Sequence, residues 1–384
     1  MVDGMTIARA EAPDTDDDFM LDLAGRAAAV DRSGSFPWES LDTLRYEQML
    51  ALTARPQDGG EGAGLLRCTA VVQQAGRGCA STALILAMHL IHVRVATGPA
   101  WPEHLRTAVG RGAGRYGALI NALRVEPALG TPARGGLPDT IARQTPDGWA
   151  ITGRKIYSTG APGLAWMLVF ARTDGDAPRT GLFLVPASAR GITIVETWDQ
   201  MGLRGSGSHD VVFDDVAVPR DHAVDLRAPA DWMRPDPAGA AWNALMVAAV
   251  YTGVAEAARD WVSGFLRARA PSSLGALLAT LPRMQEAMGR IEALLMTNRR
   301  LIAGAATETD AGRPPAAAET GLIKTVAADN AIAAVQAALA LAGNHGLSRA
   351  NPLERHLRDV MCARIHTPQP DAAFTAAGRL VLGA

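Results

Sequence analysis

The sequence predicts an α+β fold in three parts: an N-terminal helical domain over residues 1–118, a middle β-barrel or sandwich domain over 119–232, and a C-terminal four-helix bundle over 233–384. Three observations predict it. The first third carries apolar residues at helical spacing, with no strand alternation. Between Asn121 and Pro219, short apolar runs are broken by Gly, Pro and Asp. From about Ala238 onward, long Ala- and Leu-rich stretches return. A chain of 384 residues also exceeds what one simple core accommodates.

In the first part, "RYEQMLALTARP", "LRCTAVVQQAGRGCASTALILAMHLIHVRVA" and "WPEHLRTAVGRGAG" predict helices, and the Gly-rich "ARPQDGGEGAG" between the first two predicts a loop. In the second, "GWAITGRKIYSTGA", "AWMLVFART", "TGLFLVPA", "GITIVETW" and "SHDVVFDDVAVP" predict strands of an antiparallel sheet rather than βαβ units. No GxGxxG follows a strand, so a Rossmann-type dinucleotide fold is not predicted. In the third, helices are predicted over about 240–268, 274–305, 317–343 and 351–364, broken by "GRPPA" and "GNHG". Several of these are apolar on nearly every face, which predicts subunit contacts and a homo-oligomer.

A net charge of −2 gives no reason to expect nucleic acid or an acidic membrane as partner. Cys68, Cys79 and Cys362 are odd in number and fit no metal spacing, which predicts free thiols in a reducing compartment. The acidic start lacks the apolar core of a signal peptide. "AGAAWNALMVAAVYTGVAEAA" carries Asn243, Tyr251 and Glu256, so a buried bundle helix is predicted rather than a membrane span. The expectation is a cytoplasmic protein. His89 and His92 lie three apart on one helix side, but no third ligand accompanies them and no metal site is predicted.

The strand-rich stretches "GWAITGRKIYSTGAPGLAWMLVFART" and "GLFLVPASARGITIVETWDQMGLRGSGSHDVVFDDVAVP" resemble the middle domain of the acyl-CoA dehydrogenase superfamily. "RVEPALGTPARGG" resembles its Thr-Glu-Pro segment, and "AGNHGLSRANPLERHLRDVMCARIHTP" its closing Gly-rich turn and Arg-Asp helix. The resemblance implies an acyl-CoA dehydrogenase-like fold, a flavin (FAD or FMN) between β domain and bundle, and a dimer or tetramer. It implies that Tyr157 lies against the isoalloxazine ring, that Thr159 offers a hydroxyl near its reactive nitrogen, and that Ser158 between them belongs to the cofactor-binding residues. By the same resemblance, Val125 supplies a backbone amide, Thr131 a hydroxyl at the site mouth, and Arg204 reaches a flavin phosphate.

Three departures from the family pattern point one way. Thr367 stands at the position of the family's catalytic glutamate, with His366 just before it. The alternative position on the first bundle helix holds Asn243 and Ala244. Pro271 and Leu274-Gly275 replace the residues that grip the ADP half of FAD, with Arg269 and Gln285 out of step. These departures resemble the flavin-dependent monooxygenase branch, such as dibenzothiophene monooxygenase. That branch takes reduced flavin from a separate reductase and transfers oxygen, using a histidine at this C-terminal turn and another on the early helix. The resemblance thus implies a flavin-dependent oxidoreductase, oxygenase-like or a non-standard dehydrogenase, acting on a small organic substrate with His366, His89 and Thr159 as catalytic residues. A core histidine at His89 and a helix-dipole histidine at His366 are the plainer alternatives. Two other functions stay open: an acyl-CoA dehydrogenase with a relocated base, Glu256 being the candidate, and a non-catalytic subunit paired with an active paralogue.

Overall fold

A computed structural model describes residues 18–129, 136–234 and 236–383. Five helices form the N-terminal part: α1 Asp18–Ser33, α2 Trp38–Tyr46, α3 Leu65–Gly78, α4 Ala80–Ala96 and α5 Glu103–Tyr116. The helix expected from "RYEQMLALTARP" does not form. Gln48 adopts a left-handed backbone after α2, and only Met49–Ala51 makes a 3-10 turn. The long run after it is two helices, because Cys79 is extended (φ −148°, ψ 113°) between α3 and α4.

The middle part is one eight-stranded sheet: β1 Leu119–Leu123, β2 Ile141–Gln144, β3 Gly148–Lys155, β4 Leu164–Thr173, β5 Thr180–Pro186, β6 Ile192–Val195, β7 Asp210–Pro219 and β8 Ala223–Arg227. Its order is β6-β7-β3-β2-β4-β5-β8, with β1 added beside β4. Most pairings are antiparallel as expected, but β1 and β2 both run parallel to β4. Leu168, Phe170, Leu182 and Leu184 pack toward α4 and α5, while Val169, Phe183 and Val185 join the main core. Burial on both faces explains why β4 and β5 read as continuous apolar runs.

A buried ion pair locks this sheet to the segment after β1. Lys155 Nζ lies 2.5 Å from Glu126 Oε1, with both side chains essentially inaccessible to solvent. Glu126 also accepts the Thr140 hydroxyl at 2.6 Å and the Asp139 amide at 2.6 Å. Both oxygens of the carboxylate thus find donors, the condition under which a buried charge is tolerated.

The C-terminal part consists of α6 Pro237–Ala268, α7 Pro282–Asp310, α8 Ala317–Ala342, α9 Asn344–Leu347, α10 Leu353–Met361 and α11 Pro370–Leu382. The second long helix begins at Pro282 rather than near 274, because Pro271 and Gly275 lie in turns. The Pro-rich stretch after His366 is a short turn, and Pro370 opens a further helix that its sequence did not suggest. α6 and α8 are long and apolar enough to cross a membrane, but 78% of the apolar window of α6 is buried inside the protein. α6 presses closely on α3: a Cβ at Gly253 would come within 2.1 Å of the Gln73 carbonyl, and one at Gly76 within 2.5 Å of the Val250 carbonyl. That contact fixes the middle of α6, where Tyr251 sits.

Candidate active site

The turn joining α10 to α11 carries His366, and three side chains from two bundle helices hold it. From α6, Tyr251 Oη lies 2.7 Å from His366 Nδ1 and Asn243 Nδ2 donates to the Thr367 carbonyl at 3.2 Å. From α8, Lys324 Nζ donates to the carbonyls of Ala363 (2.7 Å), His366 (2.6 Å) and Pro368 (3.1 Å). The Thr367–Pro368 peptide is cis. His366 is half-buried, and burial, with the Lys324 charge behind it, pulls its imidazole down to about 4. The ring is therefore neutral at pH 7. Tyr251 is fully buried, which holds its phenol well above its ordinary 10. From Val360 to Pro370 the chain contains no Asp or Glu.

α10 connects this turn to the β domain. Asp359 accepts the Leu203 amide at 2.7 Å, and Arg358 pairs bidentately with Asp31 of α1 at 2.8 and 2.6 Å. The approach is tight, since a Cβ at Gly202 would come within 2.4 Å of the Arg358 carbonyl. Leu203 in turn accepts the Trp198 indole N–H at 2.9 Å, and Trp198 meets Tyr157 edge-on, with centroids 6.3 Å apart. A continuous line of contacts thus runs from the Arg-Asp helix to the turn after β3.

That second turn has unusual features. Tyr157 holds a left-handed backbone (φ 55°) and leaves its ring 58% exposed. The Ser158 hydroxyl is buried with no partner among the described residues. Thr159 Oγ1 lies 3.0 Å from Ser208 Oγ, which lies 2.8 Å from Ser206 Oγ, and the Thr159 carbonyl accepts Asn121 Nδ2 at 2.9 Å. Val125 is half-buried beyond β1, its carbonyl accepting the Ile156 amide at 3.0 Å. Thr131 lies outside the described residues.

Other expected site residues are engaged elsewhere. His89 is buried in the core: Nε2 lies 2.8 Å from the Leu50 carbonyl, and Nδ1 accepts the Ile120 amide at 3.2 Å. Both ring nitrogens are therefore engaged by backbone groups of the core. Arg204 gives its Nε to the Asp31 carbonyl at 2.7 Å and also meets Asp199 and the Gln200 carbonyl. It ties the turn before β7 to α1. Glu256, the candidate relocated base, accepts from Gln73 and Arg299, both at 2.9 Å. Gln285 donates to the Ala279 carbonyl at 3.1 Å. Arg269 lines a groove between the ends of α6, α7 and α8 with Arg283, Phe265 and His345. Among the described residues no cluster of three or more metal-ligating side chains occurs.

The sequence marks Tyr251 only as a polar group within an apolar helix, and does not mark Lys324, which reads as an ordinary surface lysine. Their signal is tertiary, since each meets its partner in the His366 turn only once α6 and α8 are packed.

Three family descriptions match the chain: acyl-CoA dehydrogenase N-terminal domain over residues 17–97, middle domain over 125–216 and C-terminal domain over 245–369. The chain is 34% identical over 350 residues to the putative acyl-CoA dehydrogenase YdbM of Bacillus subtilis (strain 168), covering 90% of each chain. Among solved structures, KijD3 in complex with FMN and dTDP-3-amino-2,3,6-trideoxy-4-keto-3-methyl-D-glucose is 28% identical, with a TM-score of 0.83, covering 97% of this chain and 95% of that one. TdsC from Paenibacillus sp. A11-2 with FMN and indole shares the fold at 19% identity, with a TM-score of 0.85 and 96% of each chain covered. By its fold, by its matched domains and by its identity to YdbM, this chain belongs to the acyl-CoA dehydrogenase family.

Proposed function

We propose that the chain is a flavin-dependent oxidoreductase that works without a carboxylate base, inserting oxygen into a small organic substrate with reduced flavin supplied by a separate reductase. The hydrogen bond between Tyr251 and His366 carries this reading. A buried phenol that keeps its proton must donate it to something. His366 Nδ1 is its partner among the described residues, so the imidazole accepts there and carries its own proton on Nε2. An Nε2–H can donate a hydrogen bond to an oxygen. It cannot abstract the α proton that dehydrogenation of an acyl thioester requires.

The residues after β3 suit a flavin. An exposed aromatic ring at Tyr157, an unpartnered buried hydroxyl at Ser158 and the Thr159 hydroxyl stand on one turn. Tyr157, Ser158, Thr159 and Val125 would hold the isoalloxazine, which supplies the electrons when bound. Thr159 would donate to the ring edge, while His366 would donate to the oxygen being transferred. KijD3, whose structure contains FMN and an amino sugar nucleotide, supports this reading at 28% identity. The name of YdbM speaks for dehydrogenation, but both oxygens of Glu256 are occupied and the His366 turn offers no carboxylate.

Phe374, Leu380, Val381 and Leu382 are exposed on α11, and we read them as a subunit contact of a homo-oligomer. The free Cys68, Cys79 and Cys362 support a reducing, cytoplasmic setting. The direct test adds butyryl-CoA anaerobically to the flavin-loaded protein. The reading predicts that flavin absorbance stays unchanged; bleaching would reject it in favour of a dehydrogenase.

A further inference from the structure

Lys324 is fully buried, and no carboxylate bonds to it among the described residues. Its three N–H donors all end on the turn that carries His366: the carbonyls of Ala363, His366 and Pro368, at 2.6 to 3.1 Å. A buried ammonium without a counter-ion is costly, and a structural tie between two helices would use a neutral amide at lower cost. The arrangement places a positive charge against the backbone of the His366 turn. We infer that Lys324 is a positioning residue that acts through His366: its three bonds set the turn and hold a positive charge near the imidazole. This rests on the reading of His366 as the acting group.

Of the charged groups on the packed elements, Asp329 of α8 offsets part of the Lys324 charge. Asp329 of α8 pairs with Arg364 of the turn at 3.2 Å. Asp371 opens α11, and Cys362 has its thiol pushed up to about 12 by burial. Burial pulls Lys324 itself down to about 8, so it is charged at pH 7.

The test follows the His366 ring by NMR in the flavin-loaded, full-length protein with labelled histidine, the resonance being assigned through His366→Gln. In Lys324→Met the His366 midpoint should rise by about one unit, because a nearby like charge is gone. In Lys324→Arg, which keeps the charge, it should stay near the wild-type value. A second measurement needs no variant: in the wild-type protein the His366 resonances should show a further inflection near pH 8, where Lys324 loses its proton. An unmoved midpoint in Lys324→Met, an equal rise in both variants, or a wild-type titration without the second inflection would each overturn the inference. The reading of His366 fails separately, if His366→Leu keeps full turnover while the Lys324 effects on the ring remain.

Discussion

Tyr251 Oη lies 2.7 Å from His366 Nδ1, although the two residues are 115 positions apart in the chain. The phenol selects the tautomer of the imidazole. Tyr251→Phe removes that selection and leaves a ring nitrogen without its partner. Turnover should fall about tenfold to a hundredfold, the size of a buried hydrogen bond worth roughly 1.5–3 kcal/mol. Flavin content should stay unchanged. Steady-state rates and flavin-to-protein ratios of the purified variant check both.

His366→Leu removes the donor itself and should lower turnover by about 10²–10³-fold, the usual cost of losing one preorganised donor. His89→Leu makes the contrasting case. His89 bonds the Leu50 carbonyl and the Ile120 amide, so its loss should appear as a lower melting temperature, with the rate per folded, flavin-loaded molecule retained. Parallel melts and rate measurements on the two variants separate the roles.

The Glu126–Lys155 pair should carry stability rather than chemistry. Lys155→Met leaves a buried carboxylate without its cation, which costs about 3–5 kcal/mol. Denaturant unfolding should show a lower midpoint with an unchanged slope, since the surface exposed on unfolding stays the same. A change of less than about 1 kcal/mol would show that the Thr140 hydroxyl and the Asp139 amide suffice for the carboxylate.

Acid should destabilise the fold before any carboxylate pair breaks. Burial pulls His89, His92 and His366 to about 4 and His356 to about 3, from an ordinary 6.5. Between pH 6.5 and 4 the unfolded chain therefore binds more protons than the native one, and stability falls as pH falls through that window. Asp359 opposes this: burial raises it from 3.8 to about 6, so the native state takes up its proton first. Four histidines outweigh one aspartate, and each pKa unit corresponds to at most about 1.4 kcal/mol per group. Denaturation midpoints at pH 7 and pH 5 should differ in that direction.

Much of this architecture was legible in the sequence. β3 to β7 announced themselves because each is a short apolar run closed by Gly, Pro or Asp. β1, β2 and β8 did not, because "LINAL", "IARQ" and "AVDLR" are too short to show a period, and the parallel pairing of β1 and β2 with β4 is a tertiary choice. The His366 turn was legible from "RDVMCARIHTP" and its missing carboxylate. The backbone partners of His89 were not legible, because an apolar helix shows a histidine but not the groups that bond it. Asn243 was noted only as a place without a carboxylate, whereas it anchors Thr367. Tyr251 and Lys324 carry no local signal of what they bond, and only the packing of α6 and α8 against the turn reveals it.

The central claim is that this site handles oxygen with a neutral histidine donor. The most direct measurement reduces the flavin-loaded protein anaerobically, mixes it rapidly with oxygen and follows the absorbance. The account predicts a species distinct from both oxidised and reduced flavin that persists for seconds, and that is shortened in His366→Leu and Tyr251→Phe. Direct return to oxidised flavin with no such species, identical in wild type and both variants, would contradict it.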